Sequence, residues 1–259
     1  YARKLSLNDA MLLLSQIRLG LAQGLIGTDM ENEFCVYQLM IGVMPANLAL
    51  MNDSDMSPEE IEEYRAKFIR DNLPVIRWLI YNKIKFNENI DIGLTTSKSQ
   101  YANSGDISNE KVLADSGYGQ GEILVNPIHM ASIYSAFAND GNMVKPYIEA
   151  KNINTVEYLV ENAFSKEAAN TIKDDLIQVV ENPEGTANDM KVSGRTIAGK
   201  TGTAELKASK DAQADVLGWF DCFTTDENNN QLLIVSMVEN GRDLGGSHYL
   251  IKKIKTLFQ

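Results

Sequence analysis

Residues 200–203 place a cation, two hydroxyl groups and a glycine in one row, in the order Lys-Thr-Gly-Thr. In a strand, Lys200 and Gly202 would share one face, and Thr201 and Thr203 the other. An ammonium and hydroxyls can hold a carboxylate, and a main-chain N–H can stabilise an oxyanion. Glycine inside a strand indicates that something approaches the backbone, for example a peptide added as a further strand. The row therefore predicts a carboxylate-binding site, although so short a motif also recurs by chance on solvated surface strands.

The segments around this row predict an α+β fold, in which helices cover an antiparallel sheet. Three β candidates follow one another, at 195–206, 215–225 and 231–240, and an Asn-rich turn joins the last two. Before them, 165–182 has the periodicity of an amphipathic helix, with Ser165 as its N-cap. The row at 200–203 is thus expected on the first of three sheet strands.

Further elements are expected upstream and at the C-terminus. A short strand is predicted in GEILV (121–125), then a helix beginning near Pro127 and a strand near 143–149. The polar stretch 94–108 is typical of a loop, and 247–259 is predicted as a closing helix. No internal repeat or low-complexity tract interrupts this order.

The N-terminal third has a different character. Residues 1–85 are predicted as an all-helical segment, because their apolar residues follow helical spacing and no strand signal occurs. One helix start carries a capping box, with Ser57 as cap, Pro58 in the first helical position and Glu60 three residues after the cap. We predict two regions, the helical segment 1–85 and an α+β region at 86–259.

Composition excludes several classes of function. The net charge of −11 argues against a nucleic-acid binder and against adsorption to an anionic membrane surface. Two cysteines and two histidines argue against a disulfide scaffold and a Cys/His metal site, and nothing indicates a cofactor: Cys35, Cys222, His129 and His248. Both cysteines are expected to pack in or near the core. No signal peptide or membrane-spanning run is recognisable, so a membrane anchor is expected only through a segment not present here.

Three stretches together resemble a known family. They are ADSGYGQGEILVNPIHMASIYSAFANDGNMVKP (114–146), EGTA (184–187) and GKTGTAEL (199–206). Their sequence and order are similar to the C-terminal half of the transpeptidase domain of penicillin-binding proteins, of the class B, low-affinity type. The resemblance covers residues 86–259 and implies the fold of penicillin-binding proteins and serine β-lactamases, in incomplete form.

The resemblance assigns roles to the motif residues. Lys200, Thr201 and Gly202 match the K-T-G motif, whose lysine and hydroxyl bind the carboxylate of a D-alanyl-D-alanine end or of a β-lactam. Thr203 matches the position whose backbone N–H helps to form the oxyanion hole. The stretch 120–122 (Gln-Gly-Glu) matches a segment that shapes the wall of the cleft. The partners implied are a peptidoglycan stem peptide or a β-lactam.

The nucleophile that the family's reaction requires is missing from its expected place. The chemistry needs S-x-x-K on a helix, so that serine and lysine lie within hydrogen-bonding reach. The one literal match is Ser108 to Lys111, but about one match is expected by chance, and this one lies in the linker before ADSGYGQG. The middle motif, S-x-N, occurs only at Ser6 and Asn8, where it is interpreted as a helix cap. The acylating serine is therefore predicted to be absent, with Ser108 and Lys111 as the remaining candidates.

Residues 3–72 resemble a second family, the C-terminal end of bacterial protein arginine kinases of the ATP:guanido phosphotransferase family. In those kinases an R-D-x-x-R-A element binds phosphoarginine, and only Arg65 and Ala66 of it remain here. Amphipathic packing helices are the simpler interpretation. Since a half-domain exposes apolar surface and open strand edges, the meeting of two families near 73–86 suggests a chimeric or incomplete chain.

Three functions follow as hypotheses. The first is a D,D-transpeptidase-like protein of peptidoglycan synthesis that acts outside the cell membrane and lacks its own nucleophile. The second is a non-catalytic peptide-binding or scaffolding module that uses the same sheet. A guanidino-kinase relative is third, because no phosphate-binding loop is visible. The oligomeric state is not predicted.

Overall fold

The computed structural model of the chain describes residues 57–60, 63, 77, 78, 80–105, 107, 109–149, 156–206, 215–226 and 231–258. The chain divides into two compact units, residues 1–81 with 106–113, and residues 82–105 with 114–259. The proposed division between residues 85 and 86 stays a prediction.

The capping box of the first unit forms as the sequence predicts. The Ser57 amide donates to Glu60 Oε2 at 2.8 Å, and the Glu60 amide donates to Ser57 Oγ at 3.3 Å. Residues 58–60 are helical. These bonds from Ser57 favour the ionised carboxylate and lower the pKa of Glu60. The other helices expected in 1–56, with Cys35, Ser6, Asn8 and residues 65 and 66, lie outside the described residues.

Five helices and five strands are described from residue 110 onward. The helices are α1 Glu110–Ser116, α2 Pro127–Ala138, α3 Lys166–Glu181, α4 Gly241–Leu244 and α5 Ser247–Ile254. The strands are β1 Met143–Val144, β2 Tyr158–Val160, β3 Ile197–Leu206, β4 Asp215–Thr224 and β5 Leu233–Val238. Short 3-10 helices lie at Asn188–Met190 and Lys255–Leu257.

The main sheet has three antiparallel strands in the order β3-β4-β5. Strand β4 is central, and β3 pairs with β4 alone among the described strands. The ten residues of β3 stay in one register from the pair Ile197–Thr224 to the pair Leu206–Asp215. The predicted α+β fold, an antiparallel sheet covered by helices, is confirmed.

One face of this sheet packs on the C-terminal helix. Ile197 of β3 and Phe220 and Cys222 of β4 are fully buried, in one cluster with Leu250 and Ile251 of α5. Cys222 is a core residue, as expected, and burial raises its pKa to about 12. Odd-numbered residues of β3 therefore point toward the α5 side.

The other face packs on α2 and α3. Ala198 and Phe223 lie in a second cluster with Leu176 of α3 and Tyr134 of α2. Even-numbered residues of β3, including Lys200, share this face because side chains alternate along a strand. The face-sharing predicted for residues 200–203 is thus confirmed.

Local signals fix the starts of the two long helices. The Asn126 side chain accepts the Ile128 amide at 2.8 Å and caps α2, whose first residue is Pro127. The Ser165 hydroxyl accepts the Ala168 amide at 3.1 Å and caps α3, as predicted.

Two strand predictions need correction. The strand expected in GEILV is a single bridge between Leu124 and Gln100, since the partner segment is a polar loop that offers no further ladder. The strand expected near 143–149 is limited to Met143–Val144, which pairs with the unpredicted β2. Among the described residues, no helix combines the length and apolarity needed to cross a bilayer.

Candidate functional site

Among the described residues, strand β3 pairs with β4 alone, and its other edge, here called the free edge, presents main-chain groups. The Thr225 amide donates to Thr196 O at 2.9 Å, and these residues extend the register of the β3–β4 ladder. In an antiparallel ladder, hydrogen-bonded and non-hydrogen-bonded pairs alternate. Lys200 therefore bonds to β4, whereas the N–H and C=O groups of Thr201 and Thr203 point away from β4. Two residues of the predicted site thus offer outward backbone donors and acceptors.

Lys200 places its ammonium at this edge. Its side chain is exposed, and Nζ donates to the carbonyl oxygen of Thr201 at 2.8 Å. That carbonyl belongs to the outward-facing set, so the cation lies beside the free edge. This is the position from which an ammonium can attract an anionic group of a peptide lying along the strand.

Thr201 joins the strand to the EGTA stretch. Its Oγ1 lies 2.9 Å from Oγ1 of Thr186, and either hydroxyl can donate. Thr186 is held by a tight turn after α3, in which the Ala187 amide donates to Val179 O at 3.0 Å. Gly185 is required there, because an added Cβ would lie 2.3 Å from the Val179 carbonyl oxygen. The structure thus assembles two hydroxyls and one ammonium from two separated motifs.

The 120–122 segment also reaches the edge strand. Gln120 Nε2 donates to the carbonyl oxygen of Thr203 at 2.8 Å. Glu122 anchors the same segment by accepting the Asn103 amide at 2.8 Å. Gly121, with φ of 76°, comes so close to Asp115 that an added Cβ would lie 2.7 Å from the Asp115 Cβ. The resemblance implied that residues 120–122 shape the wall of the cleft. In the structure, the side-chain amide of Gln120 contacts the main chain of the edge strand directly.

The glycine of the motif has a packing role on the sheet. Gly202 pairs with Trp219, and a Cβ added at Gly202 would lie 3.1 Å from the Trp219 Cβ. Trp219 is half-buried, and Phe220 beside it is fully buried. Close approach to Gly202 was expected from a ligand, and the described neighbour is Trp219.

Of the S-x-x-K match, the structure describes the lysine and not the serine. Ser108 lies outside the described residues, whereas Lys111 is exposed in the first turn of α1. Asn109 caps this helix, since its Oδ1 accepts the Lys111 amide at 3.0 Å and the Val112 amide at 3.3 Å. The edge site is built entirely from the second unit.

A buried Ser–His contact lies elsewhere in the second unit and was not anticipated. Ser99 and His129 are each 1% exposed, and Ser99 Oγ lies 2.8 Å from His129 Nδ1. His129 Nε2 lies 2.6 Å from the Ile84 carbonyl, which can only accept, so the proton is on Nε2 and Nδ1 accepts from Ser99. The Asn126 amide donates to Ser99 Oγ at 3.0 Å. Both ring nitrogens of His129 and the Ser99 hydroxyl have hydrogen-bond partners, and both residues are buried. We interpret this Ser99–His129–Ile84 contact as structural and call it the clamp.

No group of three His, Cys, Asp or Glu side chains within the described ranges is arranged to hold a metal ion.

A sheet with K-T-G on its edge strand and a Gly-Tyr-Gly-Gln segment against it agrees with the resemblance to penicillin-binding transpeptidases. The transpeptidase domain model of penicillin-binding proteins matches residues 79–258. The chain belongs to this family.

The C-terminal domain model of protein-arginine kinase McsB matches residues 1–83. The resemblance of the N-terminal segment to these kinases is thereby supported.

Two curated relatives carry related names. Penicillin-binding protein 3 of Bacillus subtilis is 40% identical over 175 residues, which are 67% of this chain and 26% of the relative. The probable peptidoglycan D,D-transpeptidase PbpC of Pseudomonas aeruginosa is 38% identical over 93 residues, 36% of this chain and 16% of that protein. The chain thus spans about a quarter or less of the length of these relatives.

Solved structures share the fold. The transpeptidase domain of Burkholderia pseudomallei penicillin-binding protein 3 superposes with a TM-score of 0.58 at 21% identity, covering 71% of this chain and 57% of that one. Penicillin-binding protein A of Mycobacterium tuberculosis, solved as a ceftriaxone acyl-enzyme complex, gives 0.55 at 18% identity, with coverage of 68% and 40%.

Proposed function

We propose that the second region of this chain binds the D-alanyl-D-alanine end of a peptidoglycan stem peptide, or a β-lactam, along strand β3. The observation that carries the proposal is the outward direction of the Thr201 and Thr203 main-chain groups beside the Lys200 ammonium. A peptide can add to such an edge through backbone hydrogen bonds, and its terminal carboxylate can meet the ammonium. The name of the Pseudomonas aeruginosa relative supports peptidoglycan as the setting, and hence a site of action outside the cell membrane.

Lys200, Thr201 and Thr203 have different proposed roles in binding. Lys200 supplies the charge, and Thr201, oriented by Thr186, supplies a hydroxyl donor to the same carboxylate. The Thr203 N–H, which points to the free edge, is the donor available to a carbonyl oxygen that develops negative charge. Binding requires Lys200 to release the Thr201 carbonyl, which the bound peptide can then use.

Binding without acylation is the form of this function that the sequence favours. Acyl transfer needs a serine whose proton a neighbouring base removes. The sequence contains one S-x-x-K match, which begins at Ser108, shortly before the stretch ADSGYGQG. We therefore propose that the chain recognises its ligands reversibly and does not turn them over by itself.

The test is equilibrium binding of an N-acetylated peptide ending in D-alanyl-D-alanine, with the same peptide carrying a C-terminal amide as control. The acid should bind at least about tenfold more tightly than the amide, because a hydrogen-bonded charge is worth about 1.5–3 kcal/mol. Lys200→Ala should remove that difference, and Thr201→Val should reduce it while Thr201→Ser retains it. Equal affinity for acid and amide, or indifference to Lys200→Ala, would refute the proposal.

A further inference from the structure

The central strand of the sheet carries a buried acid opposite the motif lysine. Asp221 lies in the middle of β4, is 4% exposed, and pairs in register with Lys200. Aspartate is depleted in strands and is rarely buried without a charged or hydrogen-bonded partner. Its presence here calls for a physical explanation.

The two residues are held close by the backbone. They form a hydrogen-bonded pair of the ladder, so each bonds to the main chain of the other and their side chains project from one face. Side chains of directly opposed residues begin about 5 Å apart. The Asp221 carboxylate itself accepts one described hydrogen bond, from the Ser236 amide to Oδ1 at 3.2 Å. Lys200 Nζ is turned along β3 to Thr201 O.

Of the two strand residues in register with Asp221, only Lys200 carries a positive charge. The β5 residue in register with Asp221 is the apolar Val235. Tyr134 faces it from α2, and the pKa of this phenol is raised, first by burial and then by the negative charge of Asp221. Helix α5 packs on the opposite face, and Asp174 and Asp175 of α3 are exposed.

Burial acts strongly on this carboxyl. Loss of hydration raises the pKa of Asp221 to about 7, against the opposing effect of the Ser236 hydrogen bond. The charge opposite Lys200 therefore changes near neutral pH. A negative charge there attracts the ammonium toward the sheet and repels a ligand carboxylate, whereas a neutral acid does neither.

We propose that Asp221 is a positioning residue for Lys200, one that weakens the binding of a ligand carboxylate when it is ionised and permits full binding when it is neutral. The inference rests on the proposed carboxylate-binding function of β3. By thermodynamic reciprocity, a bound carboxylate favours the protonated form of Asp221. Affinity should accordingly fall as the pH rises through neutrality.

The experiment is titration of the N-acetylated D-alanyl-D-alanine peptide into the folded chain at about pH 6 and about pH 8.5, where peptide carboxylates and lysines do not titrate. In the unmodified protein, affinity should drop by about tenfold between these values, as expected for one charge acting across a few ångströms near a surface. Asp221→Asn and Asp221→Val should keep the tighter, low-pH affinity at both values. Two replacements are used so that the test still works if one variant does not fold. Valine is included because it is favoured in strands.

The outcomes separate the two proposals. A pH-dependent affinity that becomes flat in the Asp221 variants supports the inference. An affinity that depends on Lys200 and on the free carboxylate, with the same pH profile in all three proteins, overturns the role of Asp221 and leaves the proposed function standing. Failure of the unmodified protein to bind the acid at either pH overturns both.

Discussion

Gln120 donates its side-chain amide to the main-chain carbonyl of Thr203 across 2.8 Å, although 83 residues separate them in the chain. The contact joins the Gly-Tyr-Gly-Gln segment to the edge strand that carries the lysine motif. The same carbonyl is one that an added peptide strand would use. Gln120 therefore both secures the segment and occupies a position on the ligand's path.

Gln120→Ala should lower the free energy of unfolding by about 0.5–1.5 kcal/mol, the usual net value of one hydrogen bond. Chemical denaturation measures the change. Gln178→Ala is the matched control, because Gln178 is exposed on α3 and surface replacements usually stay within about 0.5 kcal/mol. Equal effects of the two replacements would show that the Gln120 contact contributes nothing to stability.

Gly218→Ala should destabilise the protein by more than Gly202→Ala. A Cβ at Gly218 would lie 2.5 Å from the Gly246 carbonyl carbon, so backbone would have to move, and we expect a cost of about 3 kcal/mol or more. At Gly202 the nearest atom is the Trp219 side chain at 3.1 Å, and about 1–2 kcal/mol is expected. Urea denaturation curves of both variants give the comparison, and the reverse order would contradict the close packing of β4 on the Gly241–Gly246 segment.

His129 should make stability depend on pH on the acid side. Burial lowers the pKa of His129, opposed by the Ile84 hydrogen bond and the charge of Glu88. Since the unfolded residue titrates near pH 6.5, the clamp's contribution is present above that value and is lost as the pH falls through the lower folded pKa.

The measurement is the unfolding free energy at about pH 7.5 and about pH 5, compared with His129→Gln, which cannot titrate. The histidine protein should lose more stability on acidification than the glutamine variant. Asp221 titrates in both proteins, so the difference isolates the histidine. Parallel pH profiles would be inconsistent with a neutral buried imidazole.

Incubation with a fluorescent β-lactam should leave no stable covalent adduct, because the sequence offers no serine in the expected helix. Intact-protein mass spectrometry detects any adduct, and Ser108→Ala is the control variant. An adduct on the unmodified chain that disappears in Ser108→Ala would identify Ser108 as the nucleophile and overturn its exclusion.

Local chemistry explains which elements the sequence predicts well. The Ser57 and Ser165 caps need only residues three positions apart, and both form. Helix α1 was missed although Asn109 caps it, and Asn followed by Glu110 is a start signal that could have found it. The GEILV strand failed because a strand also needs a partner, which no local pattern supplies.

The strand that carries the Lys-Thr-Gly motif was predictable from the sequence, whereas the contacts around this strand were not. Lys200, Thr201 and Thr203 were expected on the first of three sheet strands, and the alternation of side chains predicts the faces that they occupy. Gln120 on Thr203 and Asp221 opposite Lys200 depend on chain segments brought together by folding. Only the register of the strands reveals that a buried acid stands across from the lysine.

The outward carbonyls of Thr201 and Thr203 are both occupied by the protein's own donors, the Lys200 ammonium and the Gln120 amide. An uncovered sheet edge invites identical molecules to stack on it and polymerise. Here the side chains of Lys200 and Gln120 cover the two carbonyls, and this should disfavour aggregation between copies of the chain through strand β3. The Lys200→Ala and Gln120→Ala variants should therefore be kept at low protein concentration, and their aggregation should be monitored by turbidity.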